Sequence, residues 1–243
     1  MDWLAPQDAV SAWTHGLWTV AALPAGVFLV WKNRGDRGPM LGMLIFSVSL
    51  VVCFGSSALY HAARDGPLRD ALHHLDYLGI YLLIAGTVTP IAAIALRGWW
   101  RRWLLVQIWV LALTGSVLRL TIEMPHWLST AFYIGMGWVG LVTYFELARR
   151  LSHAGLRSMW LGGLCYTIGG VLEVLRWPDP WPKVFGHHEL FHLWVMAGAA
   201  CHYYFMLAVL TPYRPTAGPV RKAADTSPAD DARRDPVRTA QGR

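Results

Sequence analysis

Phe185-Gly186-His187-His188-Glu189-Leu190-Phe191-His192 opens the last apolar stretch of the chain, which continues through Trp194, Val195 and Met196 as far as Leu210. A run of this length supplies the roughly 20 residues that a bilayer-spanning helix needs. On that helix His188 and His192, four residues apart, project from one face about one turn from each other, the spacing at which two imidazoles can share a metal ion. An ionisable pair at the mouth of a span is costly without a partner, so it reads first as a functional site. A pair of interfacial histidines facing lipid headgroups is the competing reading.

Outward from this stretch, seven apolar segments can be drawn in all: about 12–31, 40–62, 72–96, 103–119, 127–147, 158–176 and 188–211. Turn-forming stretches such as Asn33-Arg34-Gly35-Asp36, Asp65-Gly66-Pro67 and Trp177-Pro178-Asp179-Pro180 separate them. Only 15% of the 243 residues are charged, where a soluble domain carries about 25%. Helices alone satisfy their own backbone in lipid at this length, and no alternating strand pattern competes. The expected fold is therefore an all-α membrane protein, a seven-transmembrane-helix bundle over residues 1–211. The proline-rich, polar residues 212–243 are expected to form a disordered cytoplasmic tail. No basic region precedes the first apolar run, which reads as a retained span and not a signal peptide. Cys53, Cys165 and Cys201 are scattered through apolar stretches and suggest no disulfide framework.

Orientation follows from the basic residues. The loops after the first, third and fifth segments hold Lys32, Arg34, Arg37, Arg97, Arg101, Arg102, Arg149, Arg150 and Arg157, and the tail adds more. The opposite side has Arg64, Arg69, Arg119, Arg176 and Lys183. The positive-inside rule then puts the N-terminus outside and the C-terminus in the cytoplasm. The net charge of +6 is thus a topology signal and gives no argument for nucleic acid. Tryptophans at segment ends, among them Trp99, Trp100, Trp103, Trp177 and Trp181, fit an interfacial aromatic belt.

Two other segment ends carry polar residues. The second segment closes Gly55-Ser56-Ser57-Ala58-Leu59-Tyr60-His61, with Ser57 and His61 four apart, and the third opens Leu72-His73-His74-Leu75-Asp76-Tyr77. In a seven-span topology both ends share a membrane side with His188 and His192. Three histidines, His61, His188 and His192, with no fourth protein ligand, match a catalytic zinc centre whose open position takes water. Asp76 would orient or deprotonate that water, and Ser57 would hydrogen-bond the water, Asp76 or a substrate carbonyl. Against this, Asp76 is also placed to cap a helix, and Ser57 to bond back to its own helix.

The remaining polar residues read more plainly. His15 is either part of the surroundings of the site or an interfacial residue. Of His73 and His74, only one can face inward with Asp76, and His73, three residues before it, is the favoured one. His187 points about 100° away from His188, and His202 lies roughly 15 Å further along the helix than His192, too far to share an ion. Glu173 and Arg176, three apart, read as an intrahelical pair. Gly162-Gly163 and Gly169-Gly170, seven apart, permit close helix contact.

The runs Thr14-His15-Gly16, Ser57-Ala58-Leu59-Tyr60-His61, Leu75-Asp76-Tyr77-Leu78-Gly79 with its continuation to Pro90, Met136-Gly137-Trp138 and His188-Glu189-Leu190-Phe191-His192 resemble the bacterial hemolysin III family. That family sits with the progestin and adipoQ receptors, including the adiponectin receptors, in a superfamily that also holds alkaline ceramidases. The resemblance covers nearly the whole chain apart from the tail. It implies a seven-helix bundle in the bacterial inner membrane with zinc held by His61, His188 and His192, Asp76 reaching the ion through water, and Ser57 close by. It also implies hydrolysis of a lipid amide, without naming a substrate for this branch. The adiponectin receptors carry their N-terminus and zinc on the cytoplasmic side, opposite to the orientation that the charge count gives here.

The first functional expectation is a zinc-dependent hydrolase acting on a membrane lipid amide or ester, with Asp76 as base and Ser57 assisting the oxyanion. A non-enzymatic sensor or regulator of membrane state, with zinc clamping two helices, is the alternative. A pore or cytolysin is weakest, because no span carries a regular polar stripe.

Overall fold

The computed structural model describes residues 8–182 and 184–214. Within them, seven helical segments are long and apolar enough to cross a bilayer, and no strand occurs among the described residues. The chain is a multi-pass membrane protein. The elements are α1 (Ala9–Lys32), α2 (Arg37–Ala62), α3 (Pro67–Ala95), α4 (Gly98–Thr121), α5 (His126–Trp138), a 3-10 stretch (Val139–Thr143), α6 (Tyr144–Ala148), α7 (His153–Leu175) and α8 (His187–Phe205), which ends in a π-helical turn at Met206–Leu210. The tail expected from residue 212 lies, beyond Arg214, outside the described residues, as does Lys183.

The helices outrun the apolar segments because polar turns at their ends continue the winding. α3 begins at Pro67, with proline in the first turn where no N–H is needed, so Arg69 and Asp70 become helical. Asp36 caps α2 by accepting from Gly38 N at 3.1 Å, and Ser152 caps α7 by accepting from Gly155 N at 3.1 Å. At the start of α8 the Glu189 side chain reaches back to accept from Gly186 N at 2.7 Å and also accepts from Ser11 Oγ on α1 at 3.2 Å. The second of these bonds ties the histidine-bearing turn of α8 to the first helix.

Small residues set the closest helix contacts, since packing between helices in lipid depends on backbone approach. A Cβ added at Gly86 on α3 would lie 2.2 Å from Ser49 Oγ on α2, and one at Gly79 would lie 2.9 Å from Cys53 Cα. Of the two glycine pairs in the sixth span, Gly162 and Gly169 face His202 and Trp194 of α8, and Gly170 faces Ile134 and Thr130 of α5. Gly163 has no such neighbour.

The fifth span is broken where its sequence is weakest as a helix. Gly135, Gly137 and Gly140 fall within six residues, and a Cβ at any of them would meet nothing within 4 Å. Each glycine costs a helix interior about 1 kcal/mol relative to alanine. The helix tightens to 3-10 winding at Val139–Thr143, and Gly137, Trp138 and Gly140 become part of a cavity wall.

Candidate metal centre

Each candidate ligand sits on a helix end that the connectivity brings to one side of the bundle. His61 is in the last turn of α2, and His188 and His192 occupy the first turns of α8. One nitrogen from each of the three lies within 4.8 Å of the others, and they form the metal-capable group found among the described residues. His61 and His192 are buried, at 2% and 3% exposure.

The two nitrogens of each ring are divided between different tasks. His61 Nδ1 lies 3.0 Å from Asp8 Oδ2, and His188 Nδ1 lies 3.1 Å from Glu173 Oε1. A carboxylate only accepts, so each of these contacts places the ring proton on Nδ1 and leaves a lone pair on Nε2. Those two Nε2 atoms face each other at 3.3 Å. Two opposed lone pairs at that distance repel unless a proton or a metal ion sits between them. Two nitrogens bound at 2.0–2.1 Å in a tetrahedral zinc site stand about 3.4 Å apart. The residues present therefore fit a zinc ion on distance and donor type and, for His61 and His188, on tautomer.

His15, on α1, belongs to the same cluster. It is buried, stacks on His192 with ring centroids 4.0 Å apart and 21° between planes, and meets Phe54 edge-on. The stack fixes the plane of the His192 ring. Arg69 Nη2 donates to Asp8 Oδ2 at 3.1 Å, and Asp8 N donates to the His61 carbonyl at 3.0 Å. Partial burial works against charge on Asp8, but the contacts from His61 and Arg69 outweigh it and hold the carboxyl below its ordinary range.

Ser57, buried on α2, hydrogen-bonds the side chain of Asp76 on α3. Both line a cavity of about 400 Å³ together with His15, His188 and His192. Away from the histidines its wall is mainly apolar, with Ile80, Leu83, Val88, Ile134 and Val195. His73 turns inward beside Asp76, between the rings of Tyr60 and Tyr77, while His74 is exposed. His202 is buried against Tyr166 and stays outside the three-histidine group.

Glu173 departs from the sequence reading. It does not pair with Arg176 and instead meets three imidazoles: His188 as above, His187 Nδ1 at 2.9 Å and His126 Nε2 at 3.2 Å. Arg176 closes α7 in a left-handed conformation, which turns its backbone away from the helix. One signal was available: an acidic residue near the end of the sixth span, on the side already assigned to the histidines. Which imidazoles it meets depends on the α7–α8 connection, and spacing along the chain does not give that.

A family model for haemolysin-III related proteins matches residues 4–203. The Hemolysin-3 homolog of Bacillus subtilis (strain 168) is 33% identical over 204 residues, 83% of this chain and 93% of that protein. Hemolysin-3 of Bacillus cereus is 29% identical over 215 residues, 87% of this chain and 95% of that protein. The Adiponectin receptor protein of Drosophila melanogaster is 24% identical over 228 residues, 79% of this chain and 48% of that protein. The matched region takes in α1 through most of α8 and all three histidines; the chain belongs to the haemolysin III-related family, within the wider superfamily of progestin and adipoQ receptors.

Proposed function

We propose that the protein is a zinc-dependent hydrolase of the membrane, acting on the amide or ester carbonyl of a lipid-like substrate. One observation carries this reading. Three imidazoles with two lone pairs set for a shared cation stand beside a hydrogen-bonded serine–carboxylate pair on the wall of an apolar cavity.

His61, His188 and His192 would hold the ion, which when bound supplies a Lewis acid and makes water more acidic. Asp76 is the general base and accepts the proton of the attacking water at a carboxylate oxygen. Ser57 keeps the Asp76 carboxylate aimed, and its hydroxyl, on the cavity wall, would assist the oxyanion that forms on the carbonyl. The apolar wall takes up the acyl chain and keeps bulk water from the reacting carbonyl. The charge asymmetry of the loops supports an inner-membrane protein with the centre and the N-terminus on the outer side.

The test is the zinc content of detergent-purified protein by mass spectrometry, comparing wild type with His61→Ala and with the double variant His188→Ala/His192→Ala. About one zinc per chain is expected in wild type and none in either variant. Wild type that holds no zinc after purification without chelators and with zinc supplied would remove the hydrolase reading. Zinc-loaded wild type that turns over no lipid amide or ester would favour an ion that only clamps α2 to α8.

A further inference from the structure

Glu173 is 5% exposed near the end of a membrane span, and among the described residues no arginine or lysine pairs with it. A buried carboxylate in such a place is costly unless its oxygens are satisfied; here His187 and His188 hydrogen-bond one oxygen each, and the His126 ring lies 3.2 Å away. His187 occupies Oε2, while His188 and His126 converge on Oε1. The contact with His188 differs from the other two in what lies beyond it. The far nitrogen of that ring, Nε2, is the one that faces His61 across 3.3 Å.

We propose that Glu173 is a positioning residue of the metal centre, holding His188 as the Nδ1–H tautomer with its ring plane fixed, so that Nε2 points its lone pair at the ion. This rests on the reading of the three histidines as a zinc site. A second ligand makes the same division independently, since Asp8 stands toward His61 Nδ1 as Glu173 does toward His188. Carboxylates that take the second N–H of a ligating histidine fix tautomer and orientation and raise ligand basicity, and losing one typically weakens metal binding 10–100-fold. His187 in turn holds the other carboxylate oxygen, linking α7 and the first residue of α8 to the ligand's geometry.

The experiment pairs zinc affinity with a readout that needs no metal. Zinc affinity is measured by chelator competition on wild type, Glu173→Gln and His126→Ala, alongside the thermal midpoint of each. Nitrogen NMR of labelled imidazoles then reports the His188 tautomer in zinc-stripped wild type and Glu173→Gln. The expected results are Nδ1–H on His188 in wild type, a mixed population in Glu173→Gln, and zinc affinity about 10–100-fold weaker in Glu173→Gln. His126→Ala, which keeps the His188 contact, should hold zinc within a few-fold of wild type. Restoring the carboxylate as Glu173→Asp should recover part of the affinity. Glu173→Gln with a lowered thermal midpoint but unchanged zinc affinity and tautomer would make Glu173 a helix clamp and overturn the inference alone. Wild type that binds no zinc would overturn the proposed function and this inference together.

Discussion

A methyl added at Gly86, on the seam between α2 and α3, would lie 2.2 Å from Ser49 Oγ and 2.6 Å from Ser49 Cβ. One added at Gly140, in the fifth span, would meet nothing within 4 Å. Both residues are glycines in membrane spans, yet one is glycine because backbones touch and the other stands at a wall that encloses space. On the seam the hydroxyl is spent locally: Ser49 donates to the Phe46 carbonyl at 2.7 Å. On the cavity side Ser57 is turned to a carboxylate on the neighbouring helix. The seam holds the histidine at the end of α2 in place, while the cavity is lined by His188 and His192 of α8.

The largest expected effect separates chemistry from packing. Asp76→Asn keeps the shape of the cavity and its bond to Ser57 but removes the base. Turnover of a lipid amide should fall about 10²–10⁴-fold, while the zinc content stays at the wild-type level. Retained turnover in this variant would move the base elsewhere and leave Asp76 as a partner of Ser57 only.

On the seam the effect should appear in stability. Gly86→Ala gains helix propensity of about 1 kcal/mol but drives a methyl into the Ser49 side chain, whose Cβ moves only with its backbone. Overpacking of this kind costs about 1–3 kcal/mol, so the net expectation is a lower unfolding midpoint in detergent. Wild-type stability in Gly86→Ala would show that α2 and α3 separate easily, and would weaken the case that the seam places His61.

How much of this was legible in the sequence follows the same division. The seven spans were readable because lipid demands long apolar runs. His61, His188, His192, Ser57 and Asp76 could be grouped because alternate helix ends share a side in any seven-span topology. The residues that orient them were less legible. Asp8 lies ahead of the first apolar run, and its bond to His61 joins residues 53 positions apart. For His15 the sequence leaves a place around the site and one at the interface equally open, and the stack on His192 that decides between them needs α1 packed beside α8. Glu173 was assigned to Arg176 by spacing alone, a local rule that holds on an isolated helix and yields here to three imidazoles brought by other elements. Local periodicity and topology thus gave the three-histidine group, while the groups behind it depended on tertiary contacts.

The smallest effect tests why the fifth span breaks. If the run of glycines alone loosens the helix between Trp138 and Tyr144, then Gly140→Ala should restore helix preference at no steric cost, because the added methyl enters open space. Its stability should be unchanged or higher by up to about 1 kcal/mol. The methyl also narrows the cavity at that wall, so a long acyl chain should bind more weakly than in wild type, while zinc content is unaffected. A clear loss of stability in Gly140→Ala would mean that the 3-10 segment is held by packing that needs a glycine, and the contrast with Gly86 would then be one of degree, since both glycines would be serving close contact.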